Sequence, residues 1–225
     1  MTKKHEKADS SIEVVENALG RTEQFIEDNQ KIVTSVVLGI IVIVAIYLAY
    51  QKFYLKPLEE EAQSQMFVAE QYFARDSFAL ALDGDVNYPG FITIIDEYSA
   101  TKAANLANYY AGISYLHLGQ FENAIDYLKN FASDDKELQF IALGAIGDAF
   151  MELNKPEDAI KNYKNAATSE DELFAPIYLL KAGNALESLG KKDEALEVYQ
   201  LIKDKYKESY QGRIIDKYIT RLQLK

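Results

Sequence analysis

The chain has 225 residues, enough for one or two domains. Its 24 Lys+Arg against 35 Asp+Glu leave a formal net charge of −11, and phosphate recognition needs clustered bases, so a nucleic-acid-binding surface is disfavoured. There is no Cys, which excludes a disulfide scaffold, a Cys-based zinc site and a thiol nucleophile, and only His5 and His117 supply imidazole.

Residues 1–31 form a polar tail with Ile12, Val15, Leu19 and Ile26 spaced for one helix face, broken at Thr22. It reads as a helical run-in to the next segment, with a partner-binding amphipathic helix as the alternative. Residues 32–50 then run without a charge, from Ile32 to Tyr50. At 1.5 Å per residue such a helix measures about 28 Å, close to the hydrocarbon core of a bilayer. Lys31 and Lys52 bracket it, and Tyr47, Tyr50, Phe53 and Tyr54 cluster at its end like an interfacial aromatic belt. A cleavable signal peptide fits poorly, because the run begins after 31 residues and no small-x-small site follows. The expectation is one transmembrane helix. Within it Thr34, Ser35 and Gly39 are the small positions on which a neighbouring helix would pack. Arg21 and Lys31 on one side balance Lys52 and Lys56 on the other, so charge leaves the orientation open, with Lys3, Lys4 and Lys7 tilting the N-terminus toward the cytoplasm.

Residues 51–225 lack strand-like alternation. Lys56-Pro57 followed by Glu59, Glu60 and Glu61 reads as a helix start, with Pro at the first position and acids at the positive end of the dipole. Beyond it the chain repeats itself. Gly112, Gly147 and Gly183 lie 35 and 36 residues apart, and Ala124, Ala159 and Ala195 follow each Gly by twelve. The same alignment superposes Tyr115, Phe150 and Leu186, and then Leu118, Leu153 and Leu189. Gly119, Asn154 and Gly190 supply the residue types that stop a helix in a left-handed conformation. Glu122, Glu157 and Asp193 open the second helix, Ile125, Ile160 and Leu196 follow Ala, and Leu128, Tyr163 and Tyr199 come three later. A small residue on each helix lets a pair approach closely while the large ones fill neighbouring gaps.

This pattern resembles the tetratricopeptide repeat: G-x2-Y, a turn, A-I and an aromatic at close to its 34-residue period. The fold class expected is therefore all-α, an N-terminal transmembrane helix followed by a TPR-type α-solenoid. Its repeat domain would cover 51–225, with a degenerate repeat at 58–100, repeats at about 105–138, 140–174 and 176–208, and a capping helix at 209–224. In the degenerate repeat, AEQYFARDSFALAL is expected as one helix and FITIIDEYSATK as the second with its exit turn.

Chemistry is sparse. No nucleophile elbow, phosphate loop, dinucleotide fingerprint or zinc-protease motif occurs, so no enzyme and no cofactor are expected. Asp83-Gly84-Asp85-Val86-Asn87 carries the first three oxygen ligands of a calcium loop, but Tyr88 and Ile94 stand where the loop needs Gly and Glu; it reads as a turn, and no metal site is expected. His117 reads as a surface or groove residue. The resemblance implies a concave face lined by the first helix of each pair. It places Tyr109, Ile113 and Leu116 from repeat one there, Asp148 and Met151 from repeat two, and Leu180, Asn184 and Glu187 from repeat three. These positions are mainly apolar or acidic, where the chaperone-tail-binding members carry Lys and Asn.

Tail, single span and acidic repeats together resemble the bacterial YfgM-like family of inner-membrane tetratricopeptide proteins. That resemblance implies an accessory subunit of the Sec translocon, with translocon subunits, a periplasmic chaperone or prolyl isomerase, and unfolded polypeptides as partners. It implies a cytoplasmic N-terminus and periplasmic repeats in the bacterial inner membrane. The alternative is a scaffold for another envelope machine, such as cell division, outer-membrane assembly or secretion.

Overall fold

The computed structural model describes residues 27–168 and 172–224, so Ile12, Val15, Leu19 and Ile26 lie outside the described residues. Two compact units, residues 1–56 and 57–225, are described separately.

In the first unit, α1 (Gln30–Tyr50) buries no side chain. Its apolar window has a mean hydropathy of 2.9, long and apolar enough by length and composition to cross a membrane. A π-helical turn, Gln51–Leu55, follows, and the Lys56 N–H donates five residues back to the Gln51 carbonyl. Tyr50 stacks on Tyr54 with centroids 5.2 Å apart. An α-helix begins at Lys56-Pro57, as the sequence suggests, but it follows this turn rather than a loop. Pro57 is the second residue of α2 (Lys56–Phe73), with the widened turn directly before it. Pro57 has no N–H for the Phe53 carbonyl, and its ring would strike that carbonyl in a regular α-helix; a wider turn relieves both problems.

The second unit continues as α3 (Phe78–Asp83), α4 (Phe91–Glu97), α5 (Lys102–His117), α6 (Phe121–Asn130), α7 (Lys136–Glu152), α8 (Pro156–Ala166), α9 (Phe174–Ser188), α10 (Lys192–Lys205) and α11 (Tyr210–Gln223). From α5 onward each helix packs on the next. Each first helix of a pair also touches the first helix of the following pair, α5 on α7 and α7 on α9, and α9 touches α11. That double adjacency defines a solenoid of helix pairs. Side-chain caps start three of these helices: Thr101 Oγ1 accepts from the Ala104 N–H at 3.0 Å, Asp135 Oδ1 from Glu137 at 2.9 Å, and Ser209 Oγ from Gly212 at 2.9 Å.

One closure recurs at four turns. Gly119 (φ 73), Asn154 (φ 54) and Gly190 (φ 73) are left-handed, as the sequence suggests, and Asp76 (φ 57) is a fourth. In each case the next residue donates back across the turn: Ser77 to the Tyr72 carbonyl, Gln120 to Tyr115, Lys155 to Phe150 and Lys191 to Leu186, at 2.9–3.0 Å. The left-handed residue itself donates to Phe73, Leu116, Met151 or Glu187. These paired bonds satisfy the last carbonyls of the helix.

The fourth turn corrects the reading of the leading repeat. AEQYFARDSFALAL is two helices, α2 and α3, separated at Asp76. Counting from the left-handed residue, Ala69 takes the place of Gly112, Tyr72 that of Tyr115, and Ala81-Leu82 that of Ala124-Ile125. Ala69 and Ala81 are fully buried and Leu82 is 3 % exposed. The second helix of the leading repeat is thus α3, cut short after Asp83 by a loop. FITIIDEY is an additional helix, α4, whose Phe91 and Ile94 are fully buried in the same core as Ala62, Met66 and Ala69.

Candidate interaction groove

Within the three regular pairs, the first-helix Gly receives a side chain from the second helix sixteen residues later. A Cβ at Gly112 would lie 2.5 Å from Leu128 Cγ, at Gly147 2.5 Å from a Tyr163 ring carbon, and at Gly183 2.2 Å from a Tyr199 ring carbon. These contacts need the absence of a Cβ, because a protein interior leaves no slack of that size.

The tyrosines carry hydroxyls into this packing, and the residue after each Gly receives them. Tyr163 donates to Asp148 at 2.7 Å. Tyr199 bonds to Asn184 Oδ1 at 2.9 Å and to Glu187 Oε1 at 2.7 Å. Burial first, and then the bond to Asp148, pushes the Tyr163 hydroxyl well above the usual tyrosine range. Burial and then the Glu187 bond do the same for Tyr199. Tyr178 is pushed up to about 12 by burial and by the charge of Asp148.

A cation from the next repeat then closes each carboxylate. Lys181 Nζ lies 2.7 Å from both Asp148 oxygens, above the rings of Tyr163 and Tyr178 at 5.7 and 5.9 Å. Arg221 of α11 pairs with Glu187, with its guanidinium 5.0 Å from the Tyr218 ring centroid. Asp148, Asn184 and Glu187, which the sequence places in the groove, are thus hydrogen-bonded to neighbouring side chains of the array, Asn184 remaining exposed. Lys181, Arg221, Tyr163 and Tyr199 are the partners that sequence reasoning missed. The Gly-to-Tyr spacing was visible, and it is the signal that could have found the two tyrosines.

The apolar groove positions are all partly exposed. Tyr109, Ile113 and Leu116 pack on the core formed by α6 and α7, while Met151 and Leu180 pack on the core of the last repeat. Three predicted residues come together in one cleft of about 540 Å3: Leu116, Asp148 and Met151, joined by His117, Gly119, Phe121, Glu152 and Lys181. Tyr109, Ile113, Leu180, Asn184 and Glu187 do not line it. His117 is exposed and stacks face to face on Phe78 of the leading repeat, with centroids 4.3 Å apart.

The calcium-like string is a turn. Asp85 Oδ1 accepts the N–H groups of Asn87 and Tyr88 at 2.7 and 2.9 Å, and Oδ2 accepts the Tyr72 hydroxyl. The Tyr72 bond, ahead of the one from Asn87, holds the Asp85 carboxyl below the usual range. On α1, Thr34, Ser35 and Gly39 are exposed; Ser35 Oγ donates to the Lys31 carbonyl at 2.8 Å, and a Cβ at Gly39 would meet nothing within 4 Å.

Family models of the tetratricopeptide repeat match residues 106–136 and 145–210. No curated protein matches the sequence. A crystal structure from Podosopora anserina, described as a kinesin light chain with nearly identical TPR-like repeats, superposes with a TM-score of 0.52 at 12% identity. The match covers 74% of this chain and 86% of that one, and it shows a shared fold. The repeats over those residues are tetratricopeptide repeats, and the second unit has the fold of an α-solenoid. Such repeats mark a protein–protein interaction scaffold, a class that typically performs no catalysis.

Proposed function

We propose that the protein is a membrane-anchored scaffold that acts by binding, as an accessory subunit of the Sec translocon recruiting periplasmic chaperones or emerging polypeptides. Residues 32–50 are its single span, with the N-terminus cytoplasmic and the repeats periplasmic in a bacterial inner membrane. The observation that carries this reading is the pairing of an apolar helix with no buried side chain with a repeat array that leaves a partly apolar cleft open. The resemblance to the YfgM-like family supports the assignment of partner and compartment. Thr34, Ser35 and Gly39 form the face on which a translocon helix packs, because small residues permit close approach in lipid. Anchoring raises the effective concentration of the cleft for polypeptides leaving the translocon.

The test is affinity purification from native membranes in mild detergent, compared with a variant lacking residues 1–56. Recovery of translocon subunits and periplasmic folding factors by the full chain alone is the expected result. Recovery of a different envelope complex replaces the assignment and keeps the scaffold. Protease accessibility of the repeats in spheroplasts tests the orientation, and protection there reverses it.

A further inference from the structure

The cleft between repeats one and two combines three partly exposed apolar walls, Leu116 of α5, Phe121 of α6 and Met151 of α7. On its floor Asp148 and Lys181 cancel each other's charge. Glu152, one helical turn beyond Asp148, is exposed at the mouth and forms no ion pair among the described residues. The cleft therefore has apolar walls and one uncompensated carboxylate, Glu152.

We propose that this cleft takes a basic aliphatic segment of a partner polypeptide. An aliphatic side chain seats against Leu116, Phe121 and Met151, and a neighbouring lysine or arginine places its cation at Glu152. The proposal rests on the scaffold reading above and names the chemistry of its partner. A lysine or arginine suits the site because its stem covers apolar surface while its head stays near water and the carboxylates. An acidic segment would meet Glu152, with Lys181 already held by Asp148. The chain shows the same chemistry one repeat later. There α11 sets Ile219 and Leu222 into the core shared with Leu180, while its Arg221 rests on Glu187. Arg221 on Glu187 is the counterpart of Lys181 on Asp148, so a basic residue carried on an apolar helix is what this array accepts where its repeats stack.

The test uses the full chain in phosphatidylcholine nanodiscs, with empty discs subtracted, and three fluorescein-labelled fifteen-residue peptides of leucine with lysine, glutamate or serine. Anisotropy titration is expected to show the Leu/Lys peptide binding at least tenfold tighter than the Leu/Glu peptide, an advantage that shrinks as salt rises from 50 to 300 mM. Glu152→Lys is expected to weaken it about fivefold and Met151→Asp to abolish it, with helicity checked by circular dichroism. Glu197→Lys, at an exposed position of α10, changes net charge equally and is expected to alter binding less than twofold. Equal binding of all three peptides, still lost in Met151→Asp, overturns the charge preference and leaves the groove standing. Binding indifferent to both cleft substitutions places the peptide elsewhere and overturns the proposal. If no peptide binds while span-dependent recovery of translocon partners persists, the cleft proposal alone falls; the converse result removes the translocon assignment alone.

Discussion

Repeat one and repeats two and three solve the same packing problem in different chemistry. In repeat one Gly112 receives Leu128, and the residue beside the Gly is Ile113, so the contact is apolar. In the other two, Gly147 and Gly183 receive tyrosines, and Asp148 and Asn184 stand beside them to take the hydroxyls. The glycine answers to the approach of two helices and is common to all. The polar partner answers to what the second helix sends across, so the two positions change together.

The largest effect expected from breaking this arrangement is at the glycine. In Gly183→Ala the new Cβ would sit 2.2 Å from a ring carbon of Tyr199, a side chain with no exposed surface. Overpacking of that kind costs about 3 kcal/mol, read as a lower urea midpoint at unchanged slope. Gly190→Ala, in open space at φ 73, is the matched control and costs about 1 kcal/mol, since only the left-handed backbone is strained. Equal losses in the two variants would remove close approach as the reason for the glycine.

Next in size is the polar floor. Asp148→Ala leaves the Tyr163 hydroxyl and the Lys181 ammonium without their acceptor, and a half-exposed network of this kind is worth about 2 kcal/mol. Alkaline titration examines the same groups from the other side. Tyr163 and Tyr199 are raised above the tyrosine value of 10.0, so the unfolded chain releases these protons at lower pH than the folded one. Their stabilisation is fully present below pH 10 and is lost as the pH climbs above it. In repeat one Leu128 takes the equivalent position, so that position contributes nothing to the loss, while burial raises Tyr109, Tyr110 and Tyr115 on its first helix. Tyr163→Phe should flatten the alkaline limb of the stability profile, and an unchanged limb would refute the assignment.

The comparison also explains what was legible in the sequence. Repeat period, turn residues and small positions are local, so Gly119, Asn154 and Gly190 could be assigned to left-handed turns from residue type alone. Asp76 could not, because Asp is an ordinary helix-surface residue and the spacing from Asp76 to Gly119 is 43 rather than 35 or 36. The extra length lies in the loop after Asp83 and in α4, which hides Ala69, Tyr72, Ala81 and Leu82 from a search at fixed period. For the groove, the sequence told which side chains share a face. It did not tell that Asp148 and Glu187 meet cations 33 and 34 residues away, because those pairs depend on how one repeat stacks on the next.

A sharper form of the comparison is to convert repeat one to the chemistry of repeat two. Leu128→Tyr alone brings a hydroxyl against Ile113, where nothing accepts it; adding Ile113→Asp supplies the acceptor that Asp148 provides to Tyr163. The double variant should recover about 1 kcal/mol relative to the sum of the single ones, measured as a coupling energy from denaturation midpoints. Additive losses would mean that the joint change of the two positions has no energetic basis.

The smallest effect belongs to the fourth turn, and it bears on whether the leading repeat is held as the others are. Asp76 adopts φ 57 without the freedom of the glycines at Gly119 and Gly190. Its turn nevertheless makes the same two backbone bonds, from Asp76 to Phe73 and from Ser77 to Tyr72. If the left-handed conformation is what joins α2 to α3, Asp76→Gly should stabilise the protein by about 0.5–1 kcal/mol, because glycine enters that region without the Cβ penalty. Asp76→Val should destabilise it by a larger amount, since a β-branched residue is an outlier there. A glycine variant less stable than the parent would mean that the Asp76 side chain, rather than its backbone, holds the turn, and the leading repeat would then close by a device of its own.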